Sequence, residues 1–270
     1  MKAMIADSHC HLDYPALAKQ LDAVLARAHQ AGVTRMLTAC TSMKSFPGVL
    51  ETAEAHQNVV CSVGVHPHHC AEEGERVTAE NLAKLAENRK VVAIGETGLD
   101  YFYDRAPREE QHRNFREHLR AAVTTGLPVI VHSREAEDDT LQMLRECREG
   151  EGGSSLRGVM HCFSSRRHLA EAAFDMGFYI SFSGILTFAK SEELRSIARD
   201  VPLDRLLVET DAPYLAPEPL RGKLCEPAYV VYTARRLAEL KDVSYEEIAA
   251  RTTGNFFTLF GSSGAGAVNR

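Results

Sequence analysis

The feature of this sequence that most limits its possible folds is a regular alternation between short β-branched apolar runs and longer amphipathic stretches. The short runs predict strands, and apolar residues spaced three and four apart predict helices. About eight strands are predicted, at residues 4–8, 33–39, 59–63, 91–95, 128–131, 158–160, 178–182 and 206–208. The clearest helices are predicted at residues 16–31, 108–124, 137–149 and 226–239.

An alternation of strands and helices predicts an α/β fold in which helical crossovers join parallel strands. About eight such units in a chain of 270 residues favour a single (β/α)8 TIM barrel. An open doubly wound sheet is the alternative, but it would carry a glycine-rich phosphate loop after its first strand, where residues 7–11 read DSHCH. We expect one barrel over residues 1–260 and a disordered tail over residues 261–270.

Charge and composition argue against several classes of protein. The formal net charge of −6, from 31 basic and 37 acidic residues, argues against a broad basic face for duplex nucleic acid. No run of about 18 apolar residues predicts a membrane span, and no apolar segment of a secretory signal is evident. The seven cysteines, without a CxxC pair, are typical of reduced thiols. We therefore expect a cytoplasmic protein, and a monomer.

Polar side chains follow the predicted strands at the end where TIM barrels place their active sites. His9 and His11 end the first strand two positions apart, so both side chains point to the same face. On the fourth strand, the same alternation places Glu96 on one face with Val92 and Ile94. The polar residues that end later strands on such inward-pointing faces are Glu96, His132, His161, Glu209 and Asp211.

Each of these residues has an ordinary structural explanation when it is taken alone. A histidine after a strand is often a hydrogen-bonded core residue, and Asp211 could cap the segment that follows it. Together, however, they would bury several imidazoles and carboxylates at one end of the barrel, which is costly unless the groups are paired or coordinated. Divalent metal ions satisfy the whole set, and mixed histidine and carboxylate ligands suit zinc or manganese.

The same stretches of sequence carry a resemblance to a known family. The sequence reads DSHCHLD at 7–13, GVHPH at 64–68, IGETGLDY at 94–101, LPVIVHSREA at 127–136, HCFS at 161–164, VETDAPYLAP at 208–217 and NFFTLF at 255–260. In this order, these motifs resemble the TatD family of metal-dependent deoxyribonucleases, which have amidohydrolase-like barrels. The resemblance spans nearly the whole chain apart from the tail.

The resemblance implies two divalent metal ions, Mg, Mn or Zn. It implies that His9, His11, Glu96 and Asp211 hold one ion. It assigns Glu96, His132 and His161 to the other, so that Glu96 bridges the two. One position departs from the family pattern, because Cys225 stands where asparagine is usual in RGKLCEP at 221–227. We expect this change to alter the shape or polarity of the substrate cleft, and with it the substrate preference.

The expected function is hydrolysis of DNA phosphodiester bonds by a water molecule that two metal ions activate, as a 3'-5' exonuclease on single-stranded or frayed ends. Asp211 is the candidate general base, with a role as ligand alone as the alternative, and Glu96 is the other candidate catalytic residue. Glu209 is expected to orient a ligand. The candidate contacts to the substrate are His66, Arg134, Arg221 and Lys223. Stacking of a base on Tyr101 or Phe102 is a further possibility.

Two other functions remain open at this point. The same site could hydrolyse a small ester or amide, or a D-aminoacyl-tRNA, because activated water attacks phosphorus and carbonyl carbon alike. A non-catalytic interaction protein with a structural metal site is the alternative from another class. Structural sites usually saturate the ion with protein ligands, whereas this set leaves positions open for water.

Overall fold

The structure, a computed structural model, describes residues 3–103 and 105–261. Within these residues, eight parallel strands form one sheet in the order β1 to β8. The strands are β1 (Ile5–Cys10), β2 (Val33–Thr38), β3 (Val59–Val63), β4 (Val91–Asp100), β5 (Val129–Arg134), β6 (Gly158–Met160), β7 (Tyr179–Phe182) and β8 (Leu206–Val208). The predicted tail lies outside the described residues beyond Gly261.

The first and last strands meet and bring the sheet close to a closed barrel. The backbone N–H of Asp211 donates to the carbonyl of His9 over 2.9 Å, and the N–H of His11 donates to the carbonyl of Ala212 over 2.7 Å. Asp7 reinforces this seam, because its carboxylate accepts from the backbone N–H and the hydroxyl of Thr210. The TIM barrel that the sequence predicts is therefore confirmed.

Helices connect the strands and cover the barrel. They are α1 (Pro15–Ala18), α2 (Leu21–Ala31), α3 (Phe46–Ala55), α4 (Cys70–Glu73), α5 (Ala79–Leu85), α6 (Arg108–Thr125), α7 (Glu137–Glu149), α8 (Arg167–Asp175), α9 (Glu192–Asp200), α10 (Val230–Lys241) and α11 (Tyr245–Phe260). Short 3-10 turns lie at Pro67–His69, Gly74–Arg76, Gly153–Ser155, Gly184–Thr187, Leu203–Arg205 and Pro227–Tyr229. None of the described helices is long and apolar enough to span a bilayer.

The apolar core has two parts, as a packed barrel requires. One part lies between the strands and the surrounding helices. The other fills the barrel and includes Ile130, Val159 and Leu207, with Phe256 and Phe260 of α11 packed against them. The side chain of Asn255, also on α11, donates to the carbonyls of Leu203 and Leu206, at the start of β8. The amino-terminal end of the barrel is thus filled by apolar packing, which leaves the carboxyl-terminal end for a polar site.

Strand β4 is longer than the sequence predicts, and the alternation of its side chains between the two faces is interrupted along its length. The expected end at residue 95 is wrong, because the strand continues to Asp100, which pairs with Arg134 of β5. Gly98 makes this possible, since its φ is +131° and a Cβ atom there would lie 2.0 Å from the carbonyl oxygen of His132. The expectation that Ile94 points inward with Glu96 is also wrong, because Ile94 packs in the cluster towards the helices. A register irregularity between Ile94 and Thr97 changes the alternation there.

Two predicted helices also differ in detail. The stretch 16–31 forms two helices, α1 and α2, because Gln20 has a φ of −134°, outside the helical range. The stretch 226–239 begins as a 3-10 turn at Pro227–Tyr229 before α10. Neither difference moves a residue at the polar end of the barrel.

Candidate functional site

The predicted ligands meet at the carboxyl-terminal end of the barrel. A register irregularity of β1 between Asp7 and Cys10 brings both His9 and His11 to the inside, and Cys10 packs towards the helices. Among the described residues, three groups bring potential ligand atoms within 4.8 Å of one another. These groups are His9, His11 and Glu96, then His9, His161 and Glu209, and finally His66, Glu96 and His132.

Glu96 lies at the middle of this arrangement and faces two sets of residues with its two oxygens. Its Oε2 lies 3.3 Å from His9 Nε2 and 3.7 Å from His11 Nε2. Its Oε1 lies 2.9 Å from His161 Nε2 and 3.3 Å from His132 Nδ1. We call His9, His11 and Asp211 the first half of the centre, and His132 and His161 the second half. A carboxylate placed between two such halves has the geometry that a bridging ligand needs.

Asp211 joins the first half through the seam between β1 and β8. Its Oδ1 lies 3.4 Å from His11 Nε2 and 3.8 Å from His9 Nε2. The backbone of Asp211 has a φ of +55°, a left-handed conformation that is uncommon for a residue with a side chain. The hydrogen bond from its N–H to the carbonyl of His9 helps to hold that conformation. The seam that closes the barrel therefore also positions this carboxylate.

Three histidines are oriented by hydrogen bonds from the ring nitrogen that faces away from the centre. His11 Nδ1 lies 3.2 Å from the carbonyl oxygen of Ala39, so it carries a proton and donates it. In the same way His132 Nε2 donates to Asp100, and His161 Nδ1 donates to Glu209. When the ring is neutral, its second nitrogen directs a lone pair towards Glu96. An imidazole that donates outward and coordinates inward is the usual arrangement of a metal-binding histidine.

Two buried side-chain atoms at the centre have no hydrogen-bond partner. His9 Nδ1 and Glu209 Oε2 are both orphaned, although both residues are fully buried. Glu209 Oε1 is well used, since it accepts from His161 Nδ1 and from the backbone N–H of Cys162. Glu209 therefore touches the second half of the centre as a hydrogen-bond acceptor.

His66 reaches the centre but presents a different group to it. Its Nε2 lies 3.3 Å from Glu96 Oε1, as close as His132. However, its Nδ1 accepts the backbone N–H of His68, so the proton of the neutral ring is on Nε2. Burial lowers the pKa of His66 to about 3, which keeps the ring neutral. His66 thus offers the centre an N–H donor, whereas His11, His132 and His161 can offer lone pairs.

The electrostatics show that the centre attracts positive charge. Burial lowers the pKa of His11, but a hydrogen bond to Asp211 and the charges of Glu96 and Asp211 outweigh it and raise that pKa to about 9. Burial is outweighed in the same way at His132 and His161, whose pKa values are also raised. Without metal, protons supply this charge. Divalent cations would replace those protons, and the set of imidazole and carboxylate ligands fits them.

Asp100 contacts the centre through His132, a contact that the sequence analysis does not predict. Its buried Oδ2 accepts from His68 Nε2 over 2.9 Å and from His132 Nε2 over 3.1 Å. Burial raises the pKa of Asp100, but these two hydrogen bonds hold it far below its usual value, so the group is ionised. In the sequence, Asp100 stands out only by its position four residues after Glu96. It lies close to His132 because β4 extends to Asp100 beside β5.

A cavity of about 810 Å³ opens above the centre. Arg134, a predicted substrate contact, lines this cavity together with His66 and Phe102. Arg221 and Lys223 are not among the residues that line it, although Arg221 stacks on Phe188, which does. The structure therefore brings His66 and Arg134 to the site and leaves Arg221 and Lys223 outside its wall.

Two other sequence expectations concern residues near this cavity. Tyr101 does not line it; its hydroxyl bonds to Asp139 and His112, and Arg108 covers its ring. Cys225 is fully buried, with its sulfur 4.0 Å from the carbonyl of Thr210, and it is absent from the cavity wall. The departure from the family pattern at Cys225 therefore lies behind the site.

Comparisons with known proteins agree with this geometry. The sequence profile of the family described as TatD related DNase matches residues 6–261. The chain belongs to the TatD family. The metal-dependent hydrolase YcfH of Escherichia coli strain K12 is 46% identical over 95% of this chain and 95% of its own length. The metal-dependent hydrolase YabD of Bacillus subtilis strain 168 is 37% identical over 95% of this chain and 99% of its own.

A solved structure shows the same fold. The crystal structure of YjjV, a TatD homologue from Escherichia coli K12, superposes with a TM-score of 0.88 at 33% identity, and the match covers 96% of this chain and 99% of that one. Membership of the TatD family makes this protein a metal-dependent hydrolase with a TIM barrel.

Proposed function

We propose that this TatD family protein hydrolyses phosphodiester bonds of DNA, as a 3'-5' exonuclease on single-stranded or frayed ends. The observation that carries the proposal is the position of Glu96 between two sets of histidines, beside the neutral N–H donor of His66. This arrangement suits phosphoryl transfer, in which charge on the attacking water, the leaving oxygen and the phosphoryl oxygens must be stabilised together.

Two divalent cations held by the two halves would lower the pKa of water and neutralise charge on a phosphodiester. The chain's own residues supply the remaining functions. Glu96 and Asp211 provide the negative charge that holds the cations, and Asp211 is the group we assign to accept the proton of the attacking water. Burial opposes ionisation of Asp211, but its hydrogen bond with His11 keeps its pKa below the usual value, so the group is an ionised carboxylate.

His66 and Arg134 are the proposed contacts to the substrate. The Nε2–H of His66 points into the centre and can donate to a non-bridging phosphate oxygen. Arg134 lines the cavity farther out, where its guanidinium can bind the phosphate of a neighbouring nucleotide. Because burial keeps His66 neutral, its hydrogen bond does not depend on pH over the physiological range.

The shape and charge of the molecule favour a flexible strand end over the interior of a duplex. The centre lies at the base of a cavity, where Glu96 and His161 are buried. A stiff duplex would meet the rim before its phosphates reached these side chains. The formal net charge of −6 is also unfavourable for wide contact with a polyanion, so binding would depend on contacts at the centre and its rim.

The test is a time course on single-stranded DNA labelled at either end. Chelator-stripped wild-type protein and the Glu96→Ala variant are compared after addition of magnesium, manganese or zinc. We expect metal-dependent shortening by the wild type, a ladder that starts at the 3' end, and loss of cleavage in the variant. A ladder from the 5' end would contradict the proposed polarity alone.

DNA that stays intact while metal is shown to be bound would contradict the proposed function. The same protein would then be tested on small esters and on D-aminoacyl-tRNA, which the chemistry of the site also permits. Turnover of such a substrate far above that of DNA would reassign the site without changing its ligands.

A further inference from the structure

Exposed aromatic side chains are concentrated at the mouth of the cavity. Six large apolar side chains are exposed among the described residues, and four of them line this cavity. These four are Tyr14, Phe102, Tyr103 and Tyr214. Phe102 and Tyr214 each leave 50% of their surface to solvent, so packing does not account for their placement. Exposed aromatic surface that is gathered at one opening indicates a binding site.

The four rings form two pairs, and each pair lies beside one half of the centre. Tyr14 and Tyr214 contact each other edge to face with ring centroids 5.7 Å apart, and Tyr214 lies 6.3 Å from His11 of the first half. We call these two rings the tyrosine pair. They follow His11 and Asp211 by three residues each, so the two ligand segments that meet at the seam also supply the rings.

The second pair lies towards the second half. Phe102 and Tyr103 contact each other with centroids 4.9 Å apart, and Tyr103 lies 5.3 Å from His68. Asp100 connects this pair to the centre, because it accepts the backbone N–H of both Phe102 and Tyr103 and binds His132. We call Phe102 and Tyr103 the phenylalanine pair.

The two pairs differ in their charged neighbours. Arg134 lies over Phe102 and Tyr103 at 4.1 and 4.6 Å, and Arg105 lies 5.5 Å from the ring of Tyr103. No arginine that the structure describes is within this kind of contact of Tyr14 or Tyr214, whose neighbours along the chain include Asp13 and Asp211. Glu135 and Glu137 also line the cavity, so the difference lies in where the arginines are placed and not in the net charge of one side.

We propose that the two pairs are base-stacking subsites for the last two nucleotides of a single strand. The terminal base stacks on the tyrosine pair, the next base stacks on the phenylalanine pair, and the phosphodiester between them lies over the centre. The terminal nucleoside brings no further phosphate, which suits the tyrosine pair, where the structure describes no arginine over the rings. The rest of the strand continues past Arg134 and Arg105, which suits a polyanion. This inference rests on the proposed nuclease function.

Oligonucleotides that lack single bases provide the test. Three single-stranded DNAs of equal length are compared: a complete one, one with a base-free tetrahydrofuran residue at the attacked terminus, and one with that residue at the next position. Release of the terminal nucleotide is followed as kcat/KM with wild type, Tyr214→Ala, Phe102→Ala and the controls Tyr214→Phe and Leu224→Ala. Leu224 is an exposed apolar residue that does not line the cavity.

For the wild type we expect each missing base to lower kcat/KM about tenfold, the order of one base–aromatic stack. Tyr214→Ala should lose its response to the missing terminal base and keep its response to the next one. Phe102→Ala should show the reverse pattern. Tyr214→Phe, which keeps the ring, and Leu224→Ala should respond as the wild type does. Because each readout is a ratio within one variant, a general loss of activity does not produce this pattern.

Each negative outcome has a separate meaning. If the wild type leaves the complete oligonucleotide intact, the proposed function and the stacking subsites are both wrong. If it cleaves the complete and the base-free substrates equally well, the subsites alone are wrong. The subsites alone are also wrong if Tyr214→Ala and Phe102→Ala slow cleavage of all three substrates by one common factor, since the rings would then act only through packing.

Discussion

The two halves of the centre share Glu96 but are held in place by different means. In the first half, His11 donates to the backbone carbonyl of Ala39, and Asp211 is fixed by the backbone seam between β1 and β8. In the second half, His132 and His161 donate to two buried carboxylates, Asp100 and Glu209. The first half therefore depends on the closure of the barrel, and the second half depends on side chains.

This difference indicates how each half can change. Where backbone groups orient a ligand, its orientation cannot be changed without disturbing the barrel itself. Where a carboxylate orients a ligand, one substitution at that carboxylate changes the orientation. We therefore expect that substitutions can change the metal affinity of the second half while the fold stays the same. Four experiments test this comparison, in order from the largest expected effect to the smallest.

The largest effect is expected from Asp211→Asn in the first half. The substitution removes a charged ligand and the proposed proton acceptor, so kcat should fall about 10²- to 10⁴-fold. The measurement is single-stranded DNA cleavage at increasing metal concentration. A kcat that stays low at saturating metal supports the role as a base, whereas full recovery would show that Asp211 is a ligand only.

A smaller and selective effect is expected from Asp100→Asn. Loss of this charged acceptor releases His132, and changes to such partners typically weaken metal binding about 10- to 100-fold. A stepwise metal titration of the stripped protein should show weaker binding in one step and an unchanged other step. Asp139→Asn is the matched control, because Asp139 bonds to Tyr101 and His112 away from the centre. Equal weakening of both steps would contradict the independence of the halves.

The two halves should also differ in proton release when metal binds. In the metal-free protein, the carboxylates raise the pKa of His11 to about 9 and raise those of His132 and His161 as well, whereas burial lowers the pKa of His9. Metal must displace the protons that these rings hold, so the affinity for metal should rise from pH 6 towards pH 9.

The second half has two such rings and the first half has one, so loading of the second half should release more protons. Calorimetric titrations in buffers of different ionisation enthalpy count those protons. Metal affinity that is constant between pH 6 and pH 9 would contradict this assignment of protons to the centre.

The smallest effect on activity is expected from Cys225→Asn, which restores the usual residue of the family. Cys225 is buried behind the first half and does not line the cavity, so the ratio of DNA to small-ester turnover should change by about twofold or less. A buried amide in place of a thiol should instead lower the free energy of unfolding by about 1–3 kcal/mol. Thermal unfolding and the two activity assays measure these effects, and a large change in preference with unchanged stability would contradict this placement.

Much of this protein could be predicted from periodicity alone. The alternation of short apolar runs and amphipathic stretches predicts the barrel, and the strands at Val59–Val63, Gly158–Met160 and Leu206–Val208 match it residue for residue. The period of two along a strand also places His132 with Ile130, and His161 with Val159. Such patterns are local, so the chain carries them regardless of its tertiary contacts.

Other features were decided only by the tertiary structure. Asp100 reaches His132 because β4 continues beside β5, and the role of His66 depends on a proton fixed by the backbone of His68. The tyrosine pair joins residues that are 200 positions apart in the chain, and only the seam between β1 and β8 brings them into contact. The sequence determined which residues end the strands. Barrel closure, strand register and hydrogen bonding decided what each residue faces, because these arise from contacts between distant segments that no local pattern encodes.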